Sequence, residues 1–437
     1  MRQDGPGGTM VTSAPPAPRQ MLMALFENAI AAISARHTMP ALPPLPAPGR
    51  TLVIAIGKAA AEMTAVAQER LNGPVSGLVI TRAGHGFDGG RLDRAFRYIE
   101  AGHPVPDSAS MTAAEEALAM AGELGAGDRL LMLASGGGSA LMALPVAGVT
   151  LADKQAITGM LLRSGAMISE INCVRKHLSR VKGGRLAVAA APASVRTLVI
   201  SDVPGDDPSF VASGPSVADP TTLAEARDIL RRYAIEAPTA VWRALDDPAN
   251  ETPPPDTLGL AGSDIQIIAR ARDALAASAR LAESFGYRVT DLGDRLQAEA
   301  RHLGAGHAGL ARRLAADGVQ RVILSGGEAT VRVANPHGHG GRNLEYLLGL
   351  AIGLAGAPGI HAIACDTDGI DGTEDNAGAI IGPDTLARAA ALGLDPAAAL
   401  ASNETYAFFA ALGDLVVTGP TRTNVNDFRA ILIQGSG

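Results

Sequence analysis

The sequence predicts an α/β protein of two domains, and three observations predict it. Short apolar or β-branched runs alternate with longer helical stretches: Thr51–Ile56, Val75–Thr81, Leu130–Ala134 and Val195–Ile200, then Ile265–Ala269, Tyr287–Asp291, Arg321–Leu324 and His361–Cys365. This is the rhythm of βαβ units and of largely parallel sheets. The length, 437 residues, exceeds what one core usually organises. Finally, Glu251-Thr-Pro-Pro-Pro-Asp256 has the composition of a linker, which divides the chain into domains 21–257 and 258–437.

Composition sets the bounds. At 47% hydrophobic and 19% charged, the chain can bury ordinary globular cores and is neither disordered nor fibrous. A net charge of −7 without any basic block excludes a nucleic-acid partner. Cys173 and Cys365 are the only cysteines, so there is neither a disulfide framework nor a CxxC metal pair, as fits a reducing cytoplasm. Glycine, proline or charge interrupts each apolar run before it reaches membrane-spanning length. Residues 1–20 are rich in Pro, Gly and small side chains and lack the apolar core of a secretory signal; a disordered tail is expected there. The expected protein is soluble and cytoplasmic.

In chain order, a helix over Met21–Arg36 and a Pro-rich connector, Pro40–Pro48, lead to the strand Thr51–Ile56. That strand stops at Gly57, and the helix Lys58–Leu71 begins. Lys58 thus stands at the carboxyl edge of a strand, where open α/β sheets bind ligands. It is also one of only four lysines among 37 basic residues, so its placement carries information. Gly84–Gly89 formally matches GxGxxG, but it does not open a helix, since Arg97–Ala101 reads as a further strand. His103 reads as a turn residue, and Asp107-Ser108 as the cap of a helix near Met111–Leu124.

The apolar strand Leu130–Ala134 ends abruptly in Ser135-Gly136-Gly137-Gly138-Ser139. Three glycines allow a sharp turn with no Cβ in a ligand's way, and a helical turn at Ala140–Leu144 would leave N–H groups free for an anion. Val322-Ile-Leu-Ser325-Gly326-Gly327-Glu328 repeats the pattern, so the two loops together are read as a ligand cradle.

After a helix over Leu151–Ile168, capped by Thr150, Arg175, Lys176, His177, Arg180, Lys182 and Arg185 crowd into one segment. Helical spacing places part of this charge on one face, which serves either to attract phosphates or as a solvated surface. The strand Val195–Ile200 ends in Asp202, Asp206 and Asp207; carboxylates at such an edge hold Mg²⁺ or orient a hydroxyl, while Asp206 or Asp207 also serves as a turn residue. In the second half, Arg342 enters the helix Leu344–Ala355 and can fork onto a carboxylate or phosphate. His337 and His339 lack a third ligand at metal-binding spacing and read as loop polar groups. Asp366–Asn376 resembles a calcium loop only superficially, and a magnesium-nucleotide or substrate role fits it better. No GxxxxGK[ST], HRD or DFG motif occurs, so neither a P-loop nor a protein-kinase fold is indicated.

The motifs IGKAA, SGGGSAL, NCVRKHLSRVKGGRLA, SDVPGDD, ASGPSVADPTT, SGGEATV, GHGGRNLEYLL and CDTDGIDGTEDNAGA occur in this order from Met21 onward. In this the chain resembles the class II glycerate 2-kinases, which join an amino-terminal glycerate-kinase domain to a carboxyl-terminal MOFRL domain. The resemblance implies a Rossmann-like first domain with a mainly parallel sheet, a smaller second α/β domain with a parallel or mixed sheet, and a cleft between them. It implies ATP- and Mg²⁺-dependent phosphorylation of D-glycerate to 2-phosphoglycerate, by a monomer or homodimer. Lys58, Asp202 and Arg342 match its functional positions, with Asp366 a fourth. Combined with the loops, these give Lys58, Asp202 and Arg342 as catalytic residues. Ser135, Gly136, Gly137, Gly138, Ser139, Lys182, Ser325, Gly326, Gly327 and Glu328 are expected to bind the nucleotide, and Asp202 and Asp366 the metal. The alternative is an NAD(P)H-dependent hydroxypyruvate reductase, which would want a GxGxxG turn after the first strand, where IGKAA stands.

Overall fold

The computed structural model describes residues 16–46, 48–87 and 92–435. The chain forms two compact units, one of Ala32–Ala271 with Pro420–Asn426, the other of the segment up to Ala31 with Arg272–Gly419 and the end of the chain from Asp427.

The first unit is built on six parallel strands: β1 (Thr51–Ile56), β2 (Val75–Thr81), β3 (Phe96–Glu100), β4 (Arg129–Ala134), β5 (Ser194–Ile200) and β6 (Asp264–Ala269). Their order is β3-β2-β1-β4-β5-β6. Every residue of β1 and β4 is buried, because helices cover both faces, and this is why these strands read as unbroken apolar runs. From β1 the chain proceeds outward to β2 and β3, then returns to place β4 on the other side of β1. The strand order therefore reverses between β1 and β4, which is where such sheets bind ligands beyond their carboxyl ends. A satellite apolar cluster joins helices Leu151–Arg163, Ile168–His177, Leu223–Arg232 and Thr239–Asp246.

Three expectations are corrected in this unit. The boundary at 257/258 moves, because β6 pairs with β5 in the first sheet. Glu251–Asp256 is no free linker either: Glu251 bonds the His177 ring at 2.8 Å and accepts the Leu223 N–H at 3.1 Å, and Thr252 is buried. Its prolines stiffen a fixed loop. The single helix foreseen over Leu151–Ile168 is two, parted at Gly165, whose φ of +77° ends the first.

The second unit carries β7 (Arg288–Asp291), β8 (Arg321–Gly327), β9 (Ile360–Asp366), β10 (Gly378–Ile381), β11 (Leu415–Val416) and β12 (Asp427–Ile433), in the order β11-β10-β9-β12-β8-β7. Only β7 and β8 are parallel; the other pairings are antiparallel, so of the parallel or mixed sheet expected for this half it is the mixed one that forms. The strand that changes it is β12, which inserts between β8 and β9 in the opposite direction. Helices Ala300–Ala315 and Arg342–Leu354 pack closely against each other, through glycines: a Cβ on Gly304 would lie 2.1 Å from the Tyr346 carbonyl oxygen, and one on Gly349 2.4 Å from that of Arg301. The helix Pro18–Ile33 belongs largely to this unit, with Phe26 against Phe428 at 5.8 Å between ring centres. Pro18–Gln20, expected in the tail, are therefore helical, while residues 1–15 of that expectation lie outside the described residues, as does the end of the Gly84–Gly89 match.

Candidate active site

Within the first unit, the ends of β1 and β4 are stitched together. The Ser135 N–H donates to the Ile56 carbonyl (2.9 Å), the Lys58 N–H to that of Gly136 (3.0 Å), and the Ala59 N–H to Ser135 Oγ (3.0 Å). Ser135 is wholly buried, so it fastens the loop rather than offering itself to a ligand. The glycines that follow are required by close approach. A Cβ on Gly136 would lie 2.0 Å from Asp202 Oδ2 and 2.2 Å from Asn424 Nδ2. At Gly137 φ is +83°, and a Cβ there would meet His103 Nε2 at 3.0 Å and Lys58 Cγ at 3.6 Å. Gly138 is pressed against the Ala212 methyl.

The loop thus gathers Lys58 and His103 around Gly137, and Asp202 and Asn424 around Gly136. Asn424 Nδ2 donates to Asp202 Oδ2 at 3.1 Å, and the Asn426 amide donates to the Asp202 carbonyl. Residues Pro420–Asn426, the segment that leaves the second sheet and returns to it, exist in this unit to hold Asp202. Nearby backbone is strained: Asp206, Ala212, Ser213, Arg422 and Asn426 all have positive φ. His103, Asn424 and Asn426 are the residues that sequence reasoning missed. The polar pattern Thr421–Asn426 just before an apolar strand was the available signal for the asparagines.

Lys182 is not at the surface of this loop. It is fully buried, and its ammonium donates to the carbonyls of Ser139 (2.8 Å) and Met142 (2.9 Å). Burial, then the charges of Arg175 and Lys154, holds its pKa well below the lysine range. It supports the loop from beneath, which corrects its reading as a nucleotide contact. Ser139 Oγ bonds Ser213 Oγ at 2.6 Å, and Ser213 donates to Asn172 Oδ1 at 3.0 Å. Asp207 closes a turn onto the Ser209 N–H (2.8 Å), and Asp206 lies 3.8 Å from Arg270.

In the second unit Arg342 sits in a cage of carboxylates. Its Nε donates to Asp427 (2.6 Å), Nη1 to Glu328 (3.1 Å) and Nη2 to Asp366 (2.6 Å). Burial opposes the charge, but Asp427, Asp366 and Glu328 outweigh it and raise the pKa well above the arginine range. Asp427 also accepts from Asn343 Nδ2 (2.9 Å), the Ala329 N–H (3.1 Å) and Arg429. Against the cost of burial, Arg342 and Arg429 keep its pKa below the usual carboxylate range. Arg429 is itself buried and lies over the Tyr346 ring at 5.2 Å. Asp371 caps the helix Arg342–Leu354 through the N–H groups of Asn343 (3.1 Å) and Leu344 (3.0 Å); burial pushes its pKa up to about 6.

This geometry corrects three expectations. Ser325, Gly326 and Gly327 form no cradle, because they remain in β8, paired with Arg429, Phe428 and Asp427 of β12 and buried. Glu328 and Asp366 face Arg342 rather than a nucleotide or metal; Asp366 Oδ1 also accepts the Asp368 N–H at 3.1 Å. Arg342 already has three carboxylate partners, which leaves two of its five N–H groups for anything else. His339 bonds Glu374 at 2.7 Å in an exposed position, as befits a loop polar group. Among the described residues no cluster of three or more His, Cys, Asp or Glu side chains could hold a metal, and no helix is long and apolar enough to cross a membrane.

Comparison with known proteins adds the family. Residues 21–246 match the family described as a domain of unknown function, DUF4147, and residues 321–427 match the MOFRL family. A D-glycerate 2-kinase of Thermotoga maritima is 39% identical over 86% of this chain and 89% of its own. The crystal structure of glycerate kinase from Thermotoga maritima superposes with a TM-score of 0.84 and 36% identity, covering 96% of this chain and all of that one. An Agrobacterium vitis protein named "Putative hydroxypyruvate reductase" is 51% identical over 88% of this chain and its own entire length. With both domain matches in sequence order and kinase relatives aligned along most of its length, the chain belongs to the glycerate 2-kinase family, composed of DUF4147 and MOFRL domains.

Proposed function

We propose that this protein phosphorylates D-glycerate at its 2-hydroxyl with ATP, giving 2-phosphoglycerate and ADP. The observation that carries the reading is the convergence of a lysine and a carboxylate on a three-glycine turn at the point where the strand order reverses. Phosphoryl transfer asks a protein chiefly for positioning and for opposite charge around the transferred group. Lys58 neutralises charge on that group, the bare backbone of Gly136 and Gly137 admits phosphate oxygens, and Asp202, aimed by Asn424, orients the 2-hydroxyl and accepts its proton. The donor set suits Mg²⁺ arriving with ATP, since that ion commonly uses one or two protein carboxylates together with phosphates. Asp202 would hold it, and the ion would supply further neutralisation of the phosphates. In the second unit, Arg342 keeps two N–H groups beyond its bonds to Asp427, Glu328 and Asp366, which suit an anionic oxygen.

The name of the Agrobacterium relatives favours a second reading, reduction of hydroxypyruvate by a nicotinamide cofactor. The first βα turn argues against it. The space above Gly57 is filled by Ser135, whose Oγ lies 2.3 Å from where a Cβ would be, so protein rather than a pyrophosphate covers this backbone. Parallel assays separate the two: D-glycerate-dependent release of ADP from ATP and Mg²⁺ is expected, and oxidation of NADH or NADPH by hydroxypyruvate without ADP release would overturn the kinase.

A further inference from the structure

Six basic side chains lie between residues 175 and 185, and five are accounted for. Lys176 is buried against Asp219 at 3.1 Å, and His177 bonds Glu251. Arg185 donates to the carbonyls of Asn250 (2.6 Å) and Glu251 (3.1 Å), Lys182 supports the glycine loop, and Arg180 lies in solvent. Arg175 is the exception. It is half-buried, and among the described residues it meets neither a carboxylate nor a hydrogen-bond acceptor for its guanidinium.

Its surroundings are positive. Lys154 is buried and donates to the carbonyls of Arg175 (2.9 Å) and Leu178 (3.0 Å). Among the described residues neither Lys154 nor Lys182 pairs with a carboxylate. Burial, then the charges of Arg175 and Arg185, depresses Lys154 well below the lysine range, and burial lowers Arg175 to about 10. Such uncompensated charge is costly, and an anion relieves it.

The helix places this charge beside the loop. Arg175 follows Asn172 by three residues, so the two share a face of Ile168–His177, and long helical side chains lean back toward the preceding turn. Asn172 is the residue joined through Ser213 to Ser139, the last residue of the glycine loop.

We propose that Arg175 is the oxyanion-binding residue of this loop, gripping a carboxylate or phosphoryl group with its planar fork while Lys182 and Lys154 fix the loop and helix around it. The identity of the ligands rests on the kinase reading; the existence of an anion site does not.

The test compares Arg175→Met and Arg175→Lys with the native protein, by steady-state kinetics and by ligand-induced thermal shift with D-glycerate and with tripolyphosphate. Arg175→Met is expected to raise one KM by roughly tenfold or more with a smaller change in kcat. A rise for D-glycerate assigns a carboxylate, and a rise for ATP a phosphoryl group. Arg175→Lys keeps the charge, so it should fold, but it should recover little binding because it lacks the fork. Native KM values and native thermal shifts in the lysine variant overturn the proposal. If the native protein turns over no ATP yet tripolyphosphate stabilises it and not the variants, the kinase reading fails and the anion site stands.

Discussion

Two serine–glycine stretches end apolar strands in this chain, and they fold into opposite things. Ser135–Gly138 leaves its sheet at once, and Gly137 turns it back over Lys58 and His103. Ser325–Gly327 stays in the ladder to its last residue, Gly327 facing Asp427. The difference comes from the neighbours. In an all-parallel sheet the strands end at one level, so the residues beyond β4 have nothing to pair with. An antiparallel partner begins where its neighbour ends, and β12 takes up the glycines of β8. The electrostatics diverge likewise: among the described residues, three cations near the first loop lack carboxylates, whereas one arginine beside the second has three. The lesson is that a glycine pattern becomes a ligand loop only where no strand claims it.

The largest expected effect is on Lys58. Lys58→Ala should lower kcat/KM by on the order of a hundredfold or more, with the loss of activity far exceeding any loss of thermal stability, since Lys58 acts on the reacting group. Arg342→Met should behave differently. It removes one of the two arginines that hold the fully buried Asp427, and the arginine paired with Asp366, so a loss of about 3 kcal/mol in denaturant unfolding is expected along with lost activity. Equal stability losses in the two variants would erase the contrast. Glycine substitutions sharpen it further. Gly136→Ala drives a methyl into Asp202 and should cost roughly tenfold or more in kcat. Gly326→Ala meets nothing nearer than 3.3 Å and should leave kcat within about twofold.

A further effect is on pH dependence. Asp371 has its pKa raised from 3.8 to about 6, so the native state binds an extra proton between those values. Native stability should therefore fall as pH rises through that window, by up to roughly 3 kcal/mol. Urea titrations of Asp371→Asn should lack this slope, and an unchanged slope would place the titration elsewhere.

The central strands of the first sheet, β1 and β4, were legible because both faces are buried and each run is short, apolar and closed by glycine or by serine and glycine. Lys58 and the SGGGS loop followed from position at strand ends. β12 was not legible. Its partners lie about a hundred and about seventy residues upstream, and periodicity carries no information about distant pairing. Consequently the cage around Arg342 was invisible, and so were the Asn424 and Asn426 contacts to Asp202, which depend on where the chain re-enters the first unit. The basic motif was ambiguous for a related reason: whether a basic side chain such as Lys176 or His177 is paired is decided by Asp219 and Glu251, beyond the reach of helical spacing.

The central claim is that phosphoryl transfer takes place at the Lys58–Asp202 loop. A phosphorus-31 NMR time course with ATP, Mg²⁺ and D-glycerate tests it directly, run on the native protein and on Lys58→Ala. The account predicts a 2-phosphoglycerate resonance growing with ADP in the native sample and nearly absent from the variant. Intact ATP in the native sample, or an equal rate in the variant, would contradict it.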